Sequence, residues 1–304
     1  MIITVTVISY NSETTILETL NSVLAQDYCL SKVEVIISDD SSRDKTLELC
    51  DTWINSYKHK FYNCVLIRSD VNTGVTMNCN RAWKKATGEW IKTIAADDIL
   101  LDNCLVSNLN YVDVNPQVNF VFSRMQCFGA REEILPADYN LKFFDLSSNR
   151  QHSFLKYQSF NIAPSSFIKR KALAEVGFAD ETYKMFEDLP LWIKATSLGH
   201  KLSFNNDITV MYRIGNSISK SDTKTLVANQ MFVDDLTTLY KSHTEGLGTS
   251  YFFKLEWLIY FRVLNKTSKI FNNERNLVTR MILKLTWIFR PLTLFMQFKN
   301  KHLN

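Results

Sequence analysis

This 304-residue chain lacks several features that would assign its class at once. Its six cysteines (Cys29, Cys50, Cys64, Cys79, Cys104, Cys127) are scattered, with no Cys-x-x-Cys pair. That spacing argues against a zinc ribbon or a disulfide framework and predicts reduced, buried thiols in a cytoplasmic setting. No uninterrupted apolar run reaches the length of a membrane span. No basic region precedes the opening run and no cleavage site follows it, so the run reads as a strand rather than a signal peptide. A net charge of +4 is too mild for a dedicated nucleic-acid binder. There is no internal repeat and no low-complexity segment. No Gly-x-Gly-x-x-Gly follows the first strand and no Walker motif occurs, which argues against dinucleotide and P-loop sites.

What is present is an ordinary globular composition, 46% hydrophobic and 22% charged, in a chain long enough for one large domain. The first part alternates strands and helices. Ile2 to Ile8, Val33 to Ile37, Val65 to Ile67, Trp90 to Ala95 and Val118 to Phe122 read as strands. Ser12 to Leu24, with Ser12 as cap, Ser42 to Ile54, Gly74 to Ala86 and Asn103 to Val112 read as helices. Strands separated by helices of this length predict right-handed βαβ crossovers and a mostly parallel sheet, an α/β fold. From 128 to 159 the pattern blurs, which predicts a loop-rich segment over the active face. Ile162 to Ile168 and Leu202 to Arg213 follow as strands, and Lys171 to Val176 and Leu189 to Leu198 as helices closed by Gly177 and Gly199. Beyond about Ser221 the chain reads as all helical.

Chemistry-bearing residues recur where these strands end: Ser9-Tyr10-Asn11 after the first, Asp39-Asp40 after the second, Asn72-Thr73-Gly74 beyond the third and Asp97-Asp98 after the fourth. In a parallel sheet these ends gather on one rim, where α/β folds bind ligands. A tyrosine ring stacks on a base, and a carboxylate accepts bonds from a base N–H or a ribose hydroxyl. Two adjacent acids against low-dielectric walls want a hard divalent cation, Mg²⁺ or Mn²⁺. Each feature has a plainer reading: Asp97 or Asp98 caps a helix starting near Ile99, Ser41 or Ser42 is an N-cap, and Asn72-Thr73-Gly74 is a turn.

In order and spacing, these segments resemble glycosyltransferase family 2. Ile8-Ser9-Tyr10-Asn11 resembles the family's Pro-Thr-Tyr-Asn, and Ser38-Asp39-Asp40-Ser41-Ser42-Arg43-Asp44-Lys45-Thr46 its Val-Asp-Asp-Gly-Ser-x-Asp-x-Thr. Asn72, Gly74 and Asn80 follow its Asn-x-Gly-(x)₄-Arg-Asn, and Ala86 to Ile91 its Ala-x-Gly-Glu-Tyr-Ile, leading to the metal-binding Asp-x-Asp-Asp. Glu187-Asp188-Leu189-Pro190-Leu191-Trp192 resembles its Glu-Asp-x-x-Leu-Trp. Asn161-Ile162-Ala163-Pro164-Ser165-Ser166-Phe167 is similar to its acceptor-side strand. The chain departs from the pattern at Ala95, where the first metal acid stands in the family, at Cys79 in place of Arg, and at Gly215 in place of His.

The resemblance implies a GT-A fold over residues 1–220, with a nucleotide-binding half (1–98) and an acceptor-binding half (99–220), then a helical C-terminal region (221–304). It implies an inverting glycosyltransferase using Mn²⁺ or Mg²⁺. The donor would be a nucleotide-diphosphate sugar, first of all a UDP-sugar, and the acceptor a hydroxyl of a glycan, in particular a lipid-linked oligosaccharide of bacterial surface polysaccharide assembly. Ser9, Tyr10, Asn11, Asp39, Asp40, Asn72 and Asp97 would hold the nucleotide, Asp97 and Asp98 the metal, and Asp188 would be the base. Glu187, Trp192 and Arg213 are candidates for diphosphate or acceptor contacts. Glu187 and Asp188 also suit a helix N-terminus, and Arg213 a surface ion pair.

The aromatic, basic stretches 251–262 and 281–298 fit an in-plane helix at the inner face of the cytoplasmic membrane, or helices packed on the catalytic domain or on a second copy of the chain. Two other functions stay open: a non-catalytic sugar-nucleotide-binding or membrane scaffold protein, because Ala95 breaks the motif, and a sugar nucleotidyltransferase, which would need a Gly-rich basic loop absent here.

Overall fold

Every residue of the first two strands is buried, and successive apolar side chains enter opposite cores, so the sheet has two apolar faces. In β1 (Ile3–Ser9), Ile3, Val5 and Val7 enter one core, with Val33, Val35 and Ile37 of β2 (Val33–Asp39). Helices α1 (Ile16–Leu24), α2 (Thr46–Tyr57) and α4 (Cys104–Val114) cover that face. Ile8 and Ile36 enter the opposite core, under α3 (Val75–Lys85), α7 (Arg170–Val176) and α8 (Asp188–Ser197). The computed structural model describes residues 1–157, 159–160, 162–215, 227–246 and 251–301.

The sheet runs β3-β2-β1-β4-β8-β6-β9-β5. The first four, including β3 (Asn63–Arg68) and β4 (Trp90–Ala95), are parallel. The short β8 (Phe167–Lys169) is antiparallel to both neighbours, β4 and β6 (Phe120–Gly129), and β6 is parallel to β9 (Leu202–Ile214). Register aligns Ser9 with Asp39 and Ile8 with Ala95, so β1, β2 and β4 end level on one rim.

Several boundaries differ from the sequence expectation. No helix begins at Ile99: Ile99–Leu100 is a short strand, β5, paired antiparallel with β9, so Asp97 and Asp98 are not caps there. α1 begins four residues after Ser12, whose carbonyl accepts the Thr15 and Ile16 N–H groups and whose hydroxyl bonds the Tyr10 carbonyl. α2 begins at Thr46, where the Asp44 carboxylate accepts both the Thr46 N–H and hydroxyl; Ser42 is bound to Asp39 instead. The stretch 128–159 is not loop-rich. It holds β7 (Ile134–Leu135), α5 (Asp138–Asp145) and α6 (Ser148–Leu155), drawn in because Phe143, Phe144 and Phe154 pack together over the sheet. Of the strand expected over 162–168, only the end is strand; 163–165 is a single 3₁₀ turn.

The C-terminal residues form α9 (Gln230–Gly246), α10 (Tyr251–Ile270), α11 (Leu277–Leu285) and α12 (Pro291–Lys301). The buried Glu256 on α10 accepts the Leu292 and Thr293 N–H groups, satisfying the first orphan donors of α12. Arg290 lies 3.8 Å over the Trp257 ring. Leu239 of α9 belongs to the core under α3, α7 and α8. The expected boundary at 220/221 lies outside the described residues.

Candidate active site

The rim is built by carboxylates that fold the loops around them. Asp39, wholly buried, accepts the Ser9 hydroxyl (2.9 Å), the Ser42 hydroxyl (2.6 Å) and the Ser42 N–H (2.8 Å). Asn11 has φ 47°, a conformation that Asn tolerates, and its Oδ1 accepts the Arg43 N–H. These bonds pin the β1 and β2 ends together and leave Tyr10 half-buried beside them. Asn72 is exposed.

Asp40 has a different task. It accepts the N–H and hydroxyl of Thr73, the Gly74 N–H (2.7 Å) and Arg81 Nη2 (2.6 Å). Arg81 continues to the Thr73 hydroxyl and to Asn78 Oδ1. Sequence reasoning missed Arg81. Cys79 fills the position where the family pattern has Arg, but a cation two residues further along α3 is fixed at the same rim, and the Asn80-Arg81 pair was its signal. Asn80, buried, is tied to Ala179 and Glu181.

Asp97 and Asp98 sit in the turn between β4 and β5. Burial raises both carboxyl groups above their ordinary range, Asp98 well above it, with the neighbouring Asp97 charge adding to the Asp98 rise. One Asp98 oxygen accepts the Arg213 N–H (2.8 Å), and Asp98 is 1% exposed. Asp97 is half-buried, and its carbonyl accepts Arg213 Nε (2.7 Å). The Arg213 guanidinium also pairs with Glu18 and lies 4.4 Å over the Phe128 ring. Arg213 is thus fastened to the acidic turn rather than free at the rim. No group of three or more His, Cys, Asp or Glu side chains able to hold a metal occurs among the described residues. A divalent ion here would take Asp97, with Asp98 partly committed, and fill the rest of its shell with water and substrate oxygens. Mg²⁺-type sites accept that arrangement.

Glu187 and Asp188 open α8, half-buried. Asp188 Oδ1 accepts the Leu189 N–H (2.6 Å). Burial raises the Asp188 carboxyl, and burial followed by the Asp188 charge pushes Glu187 up to about 8. Burial and mutual repulsion therefore both oppose charging the two acids at once. Both acids face Cys79 on α3, whose thiol they help to raise. Trp192, one turn on, is a core residue: it meets Phe122 edge-on at 4.9 Å and is 4% exposed.

Lys92, in the middle of β4, is fully buried, and its Nζ donates to the carbonyls of Pro164 and Ser166. It fastens the 163–166 turn to the strand that leads to Asp97. Its position within an apolar run hid it from the sequence reading. Asn161 and residues 216–219 lie outside the described residues.

Comparison with known proteins agrees with this rim. The family model described as glycosyl transferase family 2 matches residues 4–177. An Escherichia coli protein, UDP-Glc:alpha-D-GlcNAc-diphosphoundecaprenol beta-1,3-glucosyltransferase WfaP, is 27% identical over 230 residues, covering 74% of this chain and 83% of its own. An uncharacterized glycosyltransferase of Methanocaldococcus jannaschii is 24% identical over 182 residues, and the matched region spans only 60% of each protein. Among solved structures, residues 1–349 of TarS from Staphylococcus aureus, in complex with UDP-GlcNAc, superpose with a TM-score of 0.64 at 19% identity, over 99% of this chain and 88% of that one. A mannosyltransferase from Pyrobaculum calidifontis, in complex with GDP-Man and Mn²⁺, gives a TM-score of 0.60 at 17% identity, over 98% and 86%. The GT-A fold and the matched rim agree: the chain belongs to glycosyl transferase family 2.

Proposed function

We propose that the chain is an inverting glycosyltransferase that moves a sugar from a nucleotide diphosphate, foremost a UDP-sugar, to a glycan hydroxyl. The observation that carries this reading is the level ending of β1, β2 and β4, with Asp39 at one strand end and Asp97 just beyond another. Support comes also from the relatives: WfaP is named for UDP-Glc, and TarS was solved with UDP-GlcNAc. Ser9, Tyr10, Asn11, Asp39 and Asn72 would hold the nucleoside, and Asp40 would act through the Thr73–Gly74 loop it grips.

Asp188 would accept the proton of the attacking hydroxyl, as general-base chemistry requires. The hydroxyl oxygen bonds the anomeric carbon while the bond from that carbon to the diphosphate oxygen breaks, so the configuration inverts and the nucleotide leaves with the electron pair. Mn²⁺ or Mg²⁺ held at Asp97 would neutralise the departing charge. Glu187, protonated, would keep a second negative charge away from Asp188.

The acceptor we infer is a lipid-linked glycan of bacterial surface polysaccharide assembly, met at the inner face of the cytoplasmic membrane; WfaP is named for alpha-D-GlcNAc-diphosphoundecaprenol, a lipid-linked sugar. No described helix is long and apolar enough to cross a membrane. Instead Leu277, Met281, Leu285, Ile288, Phe289 and Phe295 are exposed along α11, the 3₁₀ turn that follows it and α12. Residues 275–304 carry six Lys or Arg and no acid. An apolar face with a basic flank suits an anionic lipid surface.

The test is a panel of UDP- and GDP-sugars with Mn²⁺, read by thermal shift and by nucleotide release. A UDP-sugar should raise the melting temperature, since it binds only the folded state. Asp188→Asn should abolish release and keep UDP affinity. Release that survives Asp188→Asn, or a panel without any stabilising nucleotide sugar, overturns the reading. Binding without release by the wild type would favour a non-catalytic sugar-nucleotide-binding protein.

A further inference from the structure

One carboxylate in the C-terminal helices stands on an otherwise apolar face. On α9, Phe232, Asp235, Leu236 and Leu239 share one side by their i, i+3, i+4, i+7 spacing. Leu239 is buried in the core of the catalytic sheet and Leu236 packs against that core. Phe232 meets Phe186 edge-on, with centroids 5.6 Å apart. Asp235 is 7% exposed. Burying a carboxylate without partners costs far more than burying a leucine, so its partner explains its presence. Its Oδ2 accepts the Met185 N–H at 2.6 Å.

Met185 lies just before Glu187 and Asp188. On its other side the same loop meets the nucleotide-binding half: the Lys184 carbonyl accepts the Thr76 N–H, and a Cβ at Gly74 would stand 2.5 Å from that carbonyl oxygen. The loop leading to the two acids is therefore gripped from two directions, by the start of α3 and by Asp235 on α9.

We propose that Asp235 is a positioning residue: by holding the Met185 N–H, it sets where Asp188 meets the acceptor hydroxyl. This rests on Asp188 being the proton acceptor. The apolar neighbours Phe232, Leu236 and Leu239 seat α9 without the carboxylate, so its removal frees the loop and leaves the helix in place. A charge-assisted bond to a backbone N–H is among the stronger single restraints available to a loop. Displacing a catalytic group by about 1 Å costs up to about 100-fold in rate.

The experiment uses the full chain with Mn²⁺ and with UDP-glucose and UDP-N-acetylglucosamine as probes, with water as the attacking hydroxyl whose bond to the anomeric carbon releases UDP. It compares Asp235→Leu, which has no acceptor, with Asp235→Asn, whose amide oxygen keeps one, and runs Asp188→Asn in parallel. Asp235→Leu should lower kcat for UDP release by about tenfold or more, with KM and UDP affinity near wild type, and Asp235→Asn should restore most of it. Should Leu prevent folding, Asp235→Ala takes its place, with UDP affinity as the fold control. Wild-type kcat in Asp235→Leu overturns the proposal, as does an Asn variant no better than Leu or a parallel loss of UDP affinity. If Asp188→Asn alone keeps its turnover, the base assignment falls and this inference falls with it. If Asp188→Asn is dead while Asp235→Leu is unaffected, only this inference falls.

Discussion

Arg81 Nη2 stands 2.6 Å from Asp40 Oδ1, and this pair ties α3 to the end of β2. The Asp40 side chain is 3% exposed and the Arg81 side chain 24% exposed, so the pair is largely shielded from water. Removing one partner of such a pair leaves a charge stranded. Arg81→Ala should cost about 3 kcal/mol of stability, measured by urea unfolding, and should weaken UDP binding because the Thr73–Gly74 loop loses a support.

Gly74 combines a positive φ of 91° with a backbone carbonyl where a side chain would begin. Gly74→Ala should cost about 1–3 kcal/mol, because neither strain nor clash can be relieved by a flexible neighbour. Thermal unfolding reads the loss. UDP titration should show a weaker complex, since the same loop carries Asn72.

Asp97 and Asp98 should respond differently to alanine. Asp98→Ala leaves the part-buried Arg213 N–H without its acceptor and should destabilise the fold by about 1–3 kcal/mol. Asp97→Ala should leave the melting temperature near wild type, while UDP affinity loses its dependence on added Mn²⁺. Calorimetry with EDTA-stripped protein, with and without Mn²⁺, separates the two.

Glu187 titrates about 8 in the folded chain, against an ordinary value of 4.5. Between those limits the folded chain holds a proton that the unfolded chain releases. Stability should therefore fall as pH rises across that window. Glu187→Gln cannot ionise, so its melting temperature should decline less between pH 5 and pH 8 than that of the wild type. Equal slopes for the two proteins would remove the shifted Glu187.

The exposed apolar face of α11 and α12 predicts sedimentation with phosphatidylglycerol vesicles that weakens in high salt. Ile288→Glu with Phe289→Glu should abolish it without changing UDP affinity. Equal binding to phosphatidylcholine vesicles would argue against the charge component, and a concentration-dependent dimer would assign the face to a second copy.

The strand ends were legible because β-branched runs bounded by Asp, Asn and Gly fix both where a buried strand stops and what stands there. Ser9, Asp39 and Asp97 were placed at or just beyond strand ends in this way, together with the βαβ alternation and the glycine-terminated α7 and α8, whereas Asp188 was singled out by its resemblance to the family's Glu-Asp-x-x-Leu-Trp. Local pattern failed where a side chain's partner lies far along the chain. Ile99–Leu100 became a strand because β9 supplies its pairing, and Phe143 and Phe144 turned an apparent loop into a helix by burying themselves on the sheet.

By itself the amino-acid order determined the βαβ elements of the first hundred residues, the rim and the identity of its acids, since periodicity and turn chemistry act between near neighbours. Only the tertiary structure decided how each acid is employed: Asp39 and Asp40 as loop anchors, Asp98 half-committed to Arg213, and Asp235 bound to the loop ahead of Asp188. The physical reason is that hydrogen bonding and desolvation depend on what lies within a few ångströms in space, and those neighbours come from segments up to more than a hundred residues apart in sequence.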